Sequence, residues 1–237
     1  MTDLHGKTAL ITGGSRGIGL AIARALGQRG ARVSLCARGA EGLEEARRDL
    51  KADGITVLVT PTDVSDPAAV DHLVAATVQE FGGIDVLVNN AGFGIQNRPV
   101  EEIPPEKWES VLGTNLTGAF LVARAALPHL KRADWGYLFN VSSYAGKVGL
   151  PGIAAYNAAK FGLTGLSASL VRELKETNVR VTALCPGMVD TRLVAKMGIP
   201  AEEMIRPQDM AQTVLYLLDL SPQVVIREIV IERQGSI

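Results

Sequence analysis

Seven short runs rich in β-branched and aliphatic residues recur along the chain: KTALIT, ARVSLCA, TVLVT, IDVLVN, GYLFNVS, VRVTALC and EIVIE. Each has the length and composition of a buried strand. The stretches between them, at about 18–28, 42–51, 67–80, 107–131, 156–176 and 208–218, carry helical periodicity. Strands apolar on both faces must be covered on both, which specifies a parallel sheet with helices on either side, a doubly wound α/β domain. A chain of 237 residues fills one such domain, and no repeat or linker divides it. The weakest pattern lies at 188–206, which is expected to form a lid. In folds of this kind ligands bind at the carboxyl ends of the strands.

Charge narrows the partners. With 24 basic and 25 acidic residues, for a net charge of -1, the chain has no electrostatic footprint for nucleic acid or an acidic membrane surface. A small molecule is the expected partner. Cys36 and Cys185 sit inside apolar runs and read as buried thiols in a reducing, cytoplasmic setting. The first residues lack the regions of a signal peptide, and no apolar run approaches the ~20 residues that span a bilayer.

TALITGGSRGIGLAIARAL is a strand, a glycine-rich turn and a helix. Gly13, Gly17 and Gly19 leave backbone amides unshielded at a helix N-terminus, where the helix dipole favours a pyrophosphate. The spacing is TGxxxGxG rather than GxGxxG, and a tight turn is the competing reading. GGSRG also fits the GxSxG elbow of α/β-hydrolases, with Ser15 as nucleophile. That mechanism needs a histidine late in the chain, and His5, His72 and His129 all come too early.

After the second strand, in LCARGAEGL, Ala37 stands where an NAD-selecting fold has an acid, and Arg38 follows it. Arg16 in the glycine turn can reach the same place. Either arginine alone is an ordinary loop charge; together they suit a 2′-phosphate, and so NADP(H). Asp63 in PTDVSD can bond an adenine amino group or cap the next helix, although Ser65 or Asp66 is better placed to cap.

Tyr156 and Lys160, four apart, share one face of a helix. Ala154, Ala155, Ala158, Ala159 and Gly162 around them are expected to keep that face low for a flat cofactor ring. A phenol with an ordinary pKa near ~10 becomes a usable general acid and base if an ammonium beside it lowers that value. A YxxxK pair also occurs as a buried tyrosine with a solvated lysine. Ser143, at the end of the preceding strand run, favours the chemical reading, because its hydroxyl can bond a substrate oxygen beside the tyrosine. Ser142 must point to the other face. Asn115 sits mid-helix, where asparagine is a poor former. Asn89 and Asn90 end a strand; Asn89 reads as structural and Asn90 as cofactor-contacting.

TGGSRGIG (12–19), NNAG (89–92), TNLTGAF with Asn115, NVSS with Ser143, YNAAK (156–160) and PG with Thr191 occur in one order from residue 7 to about 191. Together they closely resemble the short-chain dehydrogenase/reductase family, and among its members the 3-oxoacyl acyl-carrier-protein reductases. The resemblance implies a seven-stranded Rossmann-type sheet and a tetrad of Asn115, Ser143, Tyr156 and Lys160. Ser143 and Tyr156 would bind the carbonyl oxygen and Tyr156 would donate the proton. Lys160 would lower the tyrosine pKa and bond the nicotinamide ribose, and Asn115 would hold a water. Cofactor contacts are implied at Gly13, Ser15, Arg16, Gly17, Ile18 and Gly19, at Arg38, Asp63 and Val64, and at Asn90, Ala91 and Gly92. Tyr156, Lys160, Pro186, Gly187, Val189 and Thr191 would complete them on the nicotinamide side, with no metal.

The expected activity is that of an NADPH-dependent carbonyl reductase or alcohol dehydrogenase. Phe93, Ile95, Leu150, Met188 and Leu193 would line an apolar pocket for a neutral or extended acyl ketone, including a 3-oxoacyl thioester. The competing class is a cofactor-binding sensor or scaffold without turnover. The family usually ends in a strand and an Asp-Gly-Gly segment; REIVIERQGSI departs from that. A homodimer through 107–131 and 156–176, or a homotetramer, is expected.

Overall fold

The computed structural model describes residues 2–94, 97–193 and 198–235; Ile95 and the lid's 194–197 lie outside the described residues. All seven expected strands form: β1 Thr8–Thr12, β2 Arg32–Ala37, β3 Val57–Pro61, β4 Val86–Asn89, β5 Gly136–Val141, β6 Val179–Pro186 and β7 Glu228–Ile231. They make one sheet, ordered β3-β2-β1-β4-β5-β6-β7, and every pairing is parallel. The helices are α1 Gly17–Gln28, α2 Ala40–Ala52, α3 Pro67–Phe81, α4 Pro105–Leu112, α5 Gly118–Leu130, α6 Ala154–Glu173 and α7 Pro207–Asp219.

The period of two along the strands divides the core into two layers. Ala9, Ile11, Tyr137 and Phe139 face α1, α2 and α7, which add Ile22, Leu26, Leu43, Leu50, Met210 and Val214. Leu10, Leu87 and Leu138 face α3, α5 and α6, which add Leu73, Val122, Leu130 and Leu170. The expectation of strands buried on both faces holds for the central five. β3 and β7, with only one neighbour each, are largely half-buried. Helix α3 begins as its sequence suggests: Asp66 Oδ1 accepts the Ala68 amide at 2.9 Å, Pro67 follows, and Gly82 closes the helix at φ +84°.

The helix expected over 107–131 is interrupted. Between α4 and α5, Gly113–Thr117 forms a π-helical turn in which the Gly118 amide reaches back to the Gly113 carbonyl. Asn115 lies in this turn, and its Nδ2 donates at 2.9 Å to the Val111 carbonyl, the acceptor its own amide would use in a regular α-helix. Such single turns mark functional positions more often than regular helix does. By length and composition Pro105–Leu130 would suffice to cross a membrane, although charged and polar residues interrupt its apolar run. Here Leu121, Val122, Ala126 and Leu130 pack it into the second core layer.

The sheet order reverses between β1 and β4. The crevice opens at the carboxyl ends of these two strands and continues along β5 and β6.

Candidate active site

The glycine turn follows β1 and is stapled to β4. Thr12 Oγ1 accepts the Asn90 and Ala91 amides at 2.9 and 3.0 Å, and Asn90 Nδ2 donates to the Thr12 and Gly13 carbonyls at 3.0 and 3.1 Å. Asn90 therefore spends its side-chain amide on the turn. Gly13 adopts φ +64° and Gly17 φ +56°, a region that favours glycine. At Gly19 a Cβ would stand 2.6 Å from Asn90 Nδ2 and collide with the Gly13 carbonyl. The turn carries Ser15 and the exposed Arg16 into α1, whose N-cap, Arg16, makes no side-chain capping bond. The first amides of α1 thus face the crevice without a side-chain acceptor, an arrangement suited to an anion.

Arg38 projects from the end of β2, exposed, with its guanidinium 5.3 Å from the centroid of the Phe93 ring. Asp63 follows β3, where its Oδ1 accepts the Ser65 amide at 2.9 Å and hydroxyl at 2.7 Å. Those bonds, with a smaller contribution from Arg38, hold its carboxyl below the usual range. Asp66, not Asp63, caps α3. Val64 is buried and faces the second core layer, so only its backbone is available to the crevice.

At the other end of the crevice, Tyr156 and Lys160 rise from α6, both buried, with Lys160 Nζ 5.5 Å from the phenol ring centroid. Lys160 Nζ donates to the Val141 carbonyl at 2.8 Å. Ser143 follows β5, where its Oγ accepts the Ala145 amide at 3.1 Å and lies near enough to Tyr156 to favour the phenolate. Ser142 points the other way, donating to the Lys160 carbonyl at 3.0 Å beside Thr164. Asn115 Nδ2 also donates to the Phe93 carbonyl at 2.9 Å, while its Oδ1 is buried with no protein partner among the described residues. A Cβ on Gly92 would lie 2.6 Å from that oxygen and 3.6 Å from Lys160 Nζ. The four side chains thus converge on one end of the crevice.

Two expectations change here. Burial pushes the Tyr156 phenol up to about 12, with Ser143 opposing, and brings Lys160 down to about 8. Loss of water disfavours both charged forms, and at 5.5 Å from the ring the lysine does not offset it for the phenol. The small residues of α6 also do something else. Ala155 and Ala159 pack in a cluster with Val111, and a Cβ on Gly162 would meet Leu116 Cδ2 at 2.7 Å. They let α6 approach α4 and the π turn closely.

After β6, the Gly187 amide donates to the Ile231 carbonyl at 2.7 Å. The outgoing and returning limbs of the 188–206 loop pair through Asp190 N to Ile205 O, 2.8 Å, and Ile205 N to Met188 O, 3.0 Å. That pairing does not use the Val189 amide. Thr191 meets the glycine turn, since a Cβ on Gly17 would lie 3.2 Å from its Cγ2.

A family model described as short chain dehydrogenase matches residues 7–200. The chain belongs to the short-chain dehydrogenase/reductase family. A relative, the D-beta-hydroxybutyrate dehydrogenase of Cupriavidus necator, is 40% identical over 212 residues, covering 86% of this chain and 81% of that protein. Among solved structures, an alcohol dehydrogenase from the archaeon Thermococcus sibiricus complexed with 5-hydroxy-NADP has a TM-score of 0.88 at 34% identity, covering 97% of each chain. A metagenomic short-chain oxidoreductase in complex with NADP has a TM-score of 0.87 at 36% identity, covering 98% of this chain and 100% of that one. The chain is thus a short-chain oxidoreductase, and the elbow reading of Ser15 falls away. His5 pairs with Asp3 and His129 with Arg132, both at the surface.

One residue of this short-chain dehydrogenase/reductase was not singled out from the sequence. Asn157, next to Tyr156, donates through Nδ2 to the Ala145 and Val148 carbonyls, both at 2.7 Å, and accepts the Leu150 amide at 3.3 Å. It ties the loop after Ser143 to the helix that carries Tyr156. The only local signal was an asparagine in the first turn of a helix. Asn157→Ala leaves two carbonyls unpaired at a cost of about 2 kcal/mol, so the melting temperature should fall by about 4–8 °C. An unchanged melting temperature would show that the loop is held by other contacts.

Proposed function

We propose that the protein is a cytoplasmic, NADP(H)-dependent oxidoreductase that interconverts a carbonyl and a secondary alcohol, with Tyr156 as general acid and base. The observation that carries this reading is the gathering of Tyr156, Lys160 and the unpartnered Asn115 Oδ1, with Ser143 near enough to the phenol to influence its titration, at the end of a crevice whose other end is a glycine turn on an uncapped helix.

The residues present fit a dinucleotide. The uncapped amides of α1 suit the pyrophosphate, with Gly13, Ser15, Gly17, Ile18 and Gly19 around it. The open face of Gly92, where a Cβ would crowd Asn115 Oδ1, leaves room beside Lys160. Arg16 and Arg38 would take the 2′-phosphate and Asp63, with the Val64 backbone, the adenine. Asn90, through its backbone, with Ala91 and Gly92, would line the middle. Pro186, Gly187, the Val189 amide and Thr191 would bound the nicotinamide side. When bound, the nicotinamide supplies or accepts the hydride.

The chain's own residues do the rest. Ser143 and Tyr156 hold the substrate oxygen with two hydroxyl donors, which stabilise negative charge as it develops there. Tyr156 gives up its proton to that oxygen in reduction and takes one back in oxidation. Lys160 would bond the ribose, and the unpartnered Asn115 Oδ1 would hold a water that links Lys160 to solvent. The 188–206 loop closes over the substrate, hinged where its limbs pair. Substrates with oxygen at the β-carbon of an acyl group, such as 3-oxoacyl thioesters, suit this reading. The Cupriavidus necator relative's name carries a β-hydroxy acid, and the proposed pocket is apolar. Exposed Phe120 on α5 and Phe161 on α6 suit dimerisation through those helices, with a tetramer as the larger alternative.

The test is oxidation of NADPH and NADH by the purified protein across 3-oxoacyl thioesters, quinones and cyclic and aryl ketones. NADPH-preferring turnover is expected. Arg38→Met should cut the preference for NADPH by about 10- to 100-fold, as loss of a charge-assisted phosphate contact implies. Cofactor binding without turnover on any carbonyl would favour the sensor instead. A preference unchanged by Arg38→Met would remove the phosphate assignment.

A further inference from the structure

Phe93 was expected to line the substrate pocket, yet its ring lies under the guanidinium of Arg38, 5.3 Å from Cζ to the centroid. The two come from different parts of the chain, Arg38 from the end of β2 and Phe93 from the segment after β4. That segment is held on both sides. Before Phe93, the Asn90 and Ala91 amides are fixed to Thr12 Oγ1. At Phe93, the backbone carbonyl accepts Asn115 Nδ2 at 2.9 Å. After it, Gly94 adopts φ +107°, and a Cβ there would stand 2.6 Å from Val111 Cγ2. The half-buried ring packs against the cluster of Val111, Ala145, Ala155, Tyr156 and Ala159.

An exposed arginine on a loop samples many rotamers and loses that freedom when it binds an anion. A guanidinium held near an aromatic face spends no hydrogen bond on that contact, so its N–H groups stay available to a phosphate. Asp63 also attracts Arg38, but behind the Ser65 bonds in its influence on that carboxyl, and no hydrogen bond between Asp63 and Arg38 is found among the described residues.

We propose that Phe93 is a positioning residue for cofactor selection: its ring holds Arg38 where a 2′-phosphate arrives, so that preference for the phosphorylated dinucleotide depends on this side chain as well as on the arginine. The inference rests on the reading of Arg38 given above.

The probes are adenosine 2′,5′-bisphosphate and ADP, which lack the nicotinamide half and so do not engage the tetrad. Their dissociation constants are measured for the wild type, Phe93→Leu, Phe93→Tyr, Arg38→Met and the Arg38→Met/Phe93→Leu double variant, each with a melting curve. In Phe93→Leu the bisphosphate is expected to bind about three- to tenfold more weakly, the range of one cation–π contact, with ADP within twofold. Phe93→Tyr, which keeps an aromatic face, should recover the bisphosphate to within twofold of wild type. The double variant should be no weaker than Arg38→Met alone, since the ring acts through the arginine. Equal weakening of both probes in Phe93→Leu, or unchanged bisphosphate binding, overturns the proposal while leaving the Arg38 reading in place if Arg38→Met still loses the bisphosphate. If Arg38→Met binds both probes as the wild type does, the Arg38 reading has failed and this proposal falls with it.

Discussion

Tyr156→Phe should lower kcat for carbonyl reduction by about 10²–10⁴-fold, the usual range for a positioned general acid. Cofactor binding should stay within about threefold and the melting temperature within a few degrees. Tyr156 is 5% exposed and its ring packs in a buried apolar cluster, so phenylalanine keeps the ring packing and removes only the hydroxyl. The pH dependence follows from the same burial. With the phenol pushed up to about 12, the free protein keeps its proton across the neutral range, which is the state needed to donate in reduction. Alcohol oxidation needs the base form. For oxidation kcat/KM, which reports the free enzyme, should therefore climb steadily with pH above 7, while reduction stays flat until the alkaline limit. If Tyr156→Phe retains more than a tenth of wild-type turnover, another group delivers the proton.

Lys160→Met should produce two opposite changes of comparable weight: turnover falls by orders of magnitude, and the ligand-free protein becomes more stable at pH 7. Burial lowers Lys160 from an ordinary 10.5 to about 8. Below pH 8 the folded and unfolded chains both carry the proton, and the folded one bears the full cost of a buried ammonium. Between pH 8 and 10.5 the unfolded chain binds the proton that the folded chain has released, so wild-type stability rises with pH through that window. A shift of this size corresponds to roughly 3 kcal/mol. Loss of the bond to the Val141 carbonyl returns part of it, leaving a net gain of about 1–2 kcal/mol for the methionine variant near neutrality. The gain should shrink as pH approaches 10.5. Denaturant midpoints at pH 7 and pH 10 check it, and a variant less stable than wild type at pH 7 would mean that the ammonium is well compensated in the fold. In turnover, Tyr156→Phe/Lys160→Met should be little worse than the poorer single variant, because the two act as one unit.

The strands and most helices were legible because their signals are local. KTALIT and GYLFNVS carry the composition of buried strands, and Asp66-Pro67 announces the start of α3 within its own turn. What was not legible depends on contacts distant in sequence. The π turn at Gly113–Thr117 accompanies the reach of Asn115 to the Phe93 and Val111 carbonyls, and no helical periodicity records that. The small residues of YNAAK and Gly162 were visible, but their reason, the approach of Leu116 and Val111, comes from other helices. Tyr156 and Lys160 were placed on one face correctly by spacing. The direction of their pKa values was not accessible, because burial is a property of the assembled crevice. Phe93 shows the same limit: its apolar character was plain, and its partner Arg38 was not. Nor could composition tell that β3 and β7 would be edges; strand order, which fixes that, is set by how the crossovers stack.

That order has a bearing on how the molecule is made. β1 leaves the ribosome before β2 and β4, yet it lies between them in the sheet, with Arg32 opposite Thr8 on one edge and Val86 opposite Ala9 on the other. The nascent chain can complete the first edge within one β-α-β unit. The second edge stays bare until β4 has emerged, with Ala9, Leu10 and Ile11 exposed as an apolar template for pairing with other chains. The crevice is bounded by β1 and β4, so no cofactor can lend stability to the half-made domain. Passage of nascent chains through that interval falls to synthesis speed and chaperones, and chains truncated between β3 and β4 should be the most aggregation-prone of any length series.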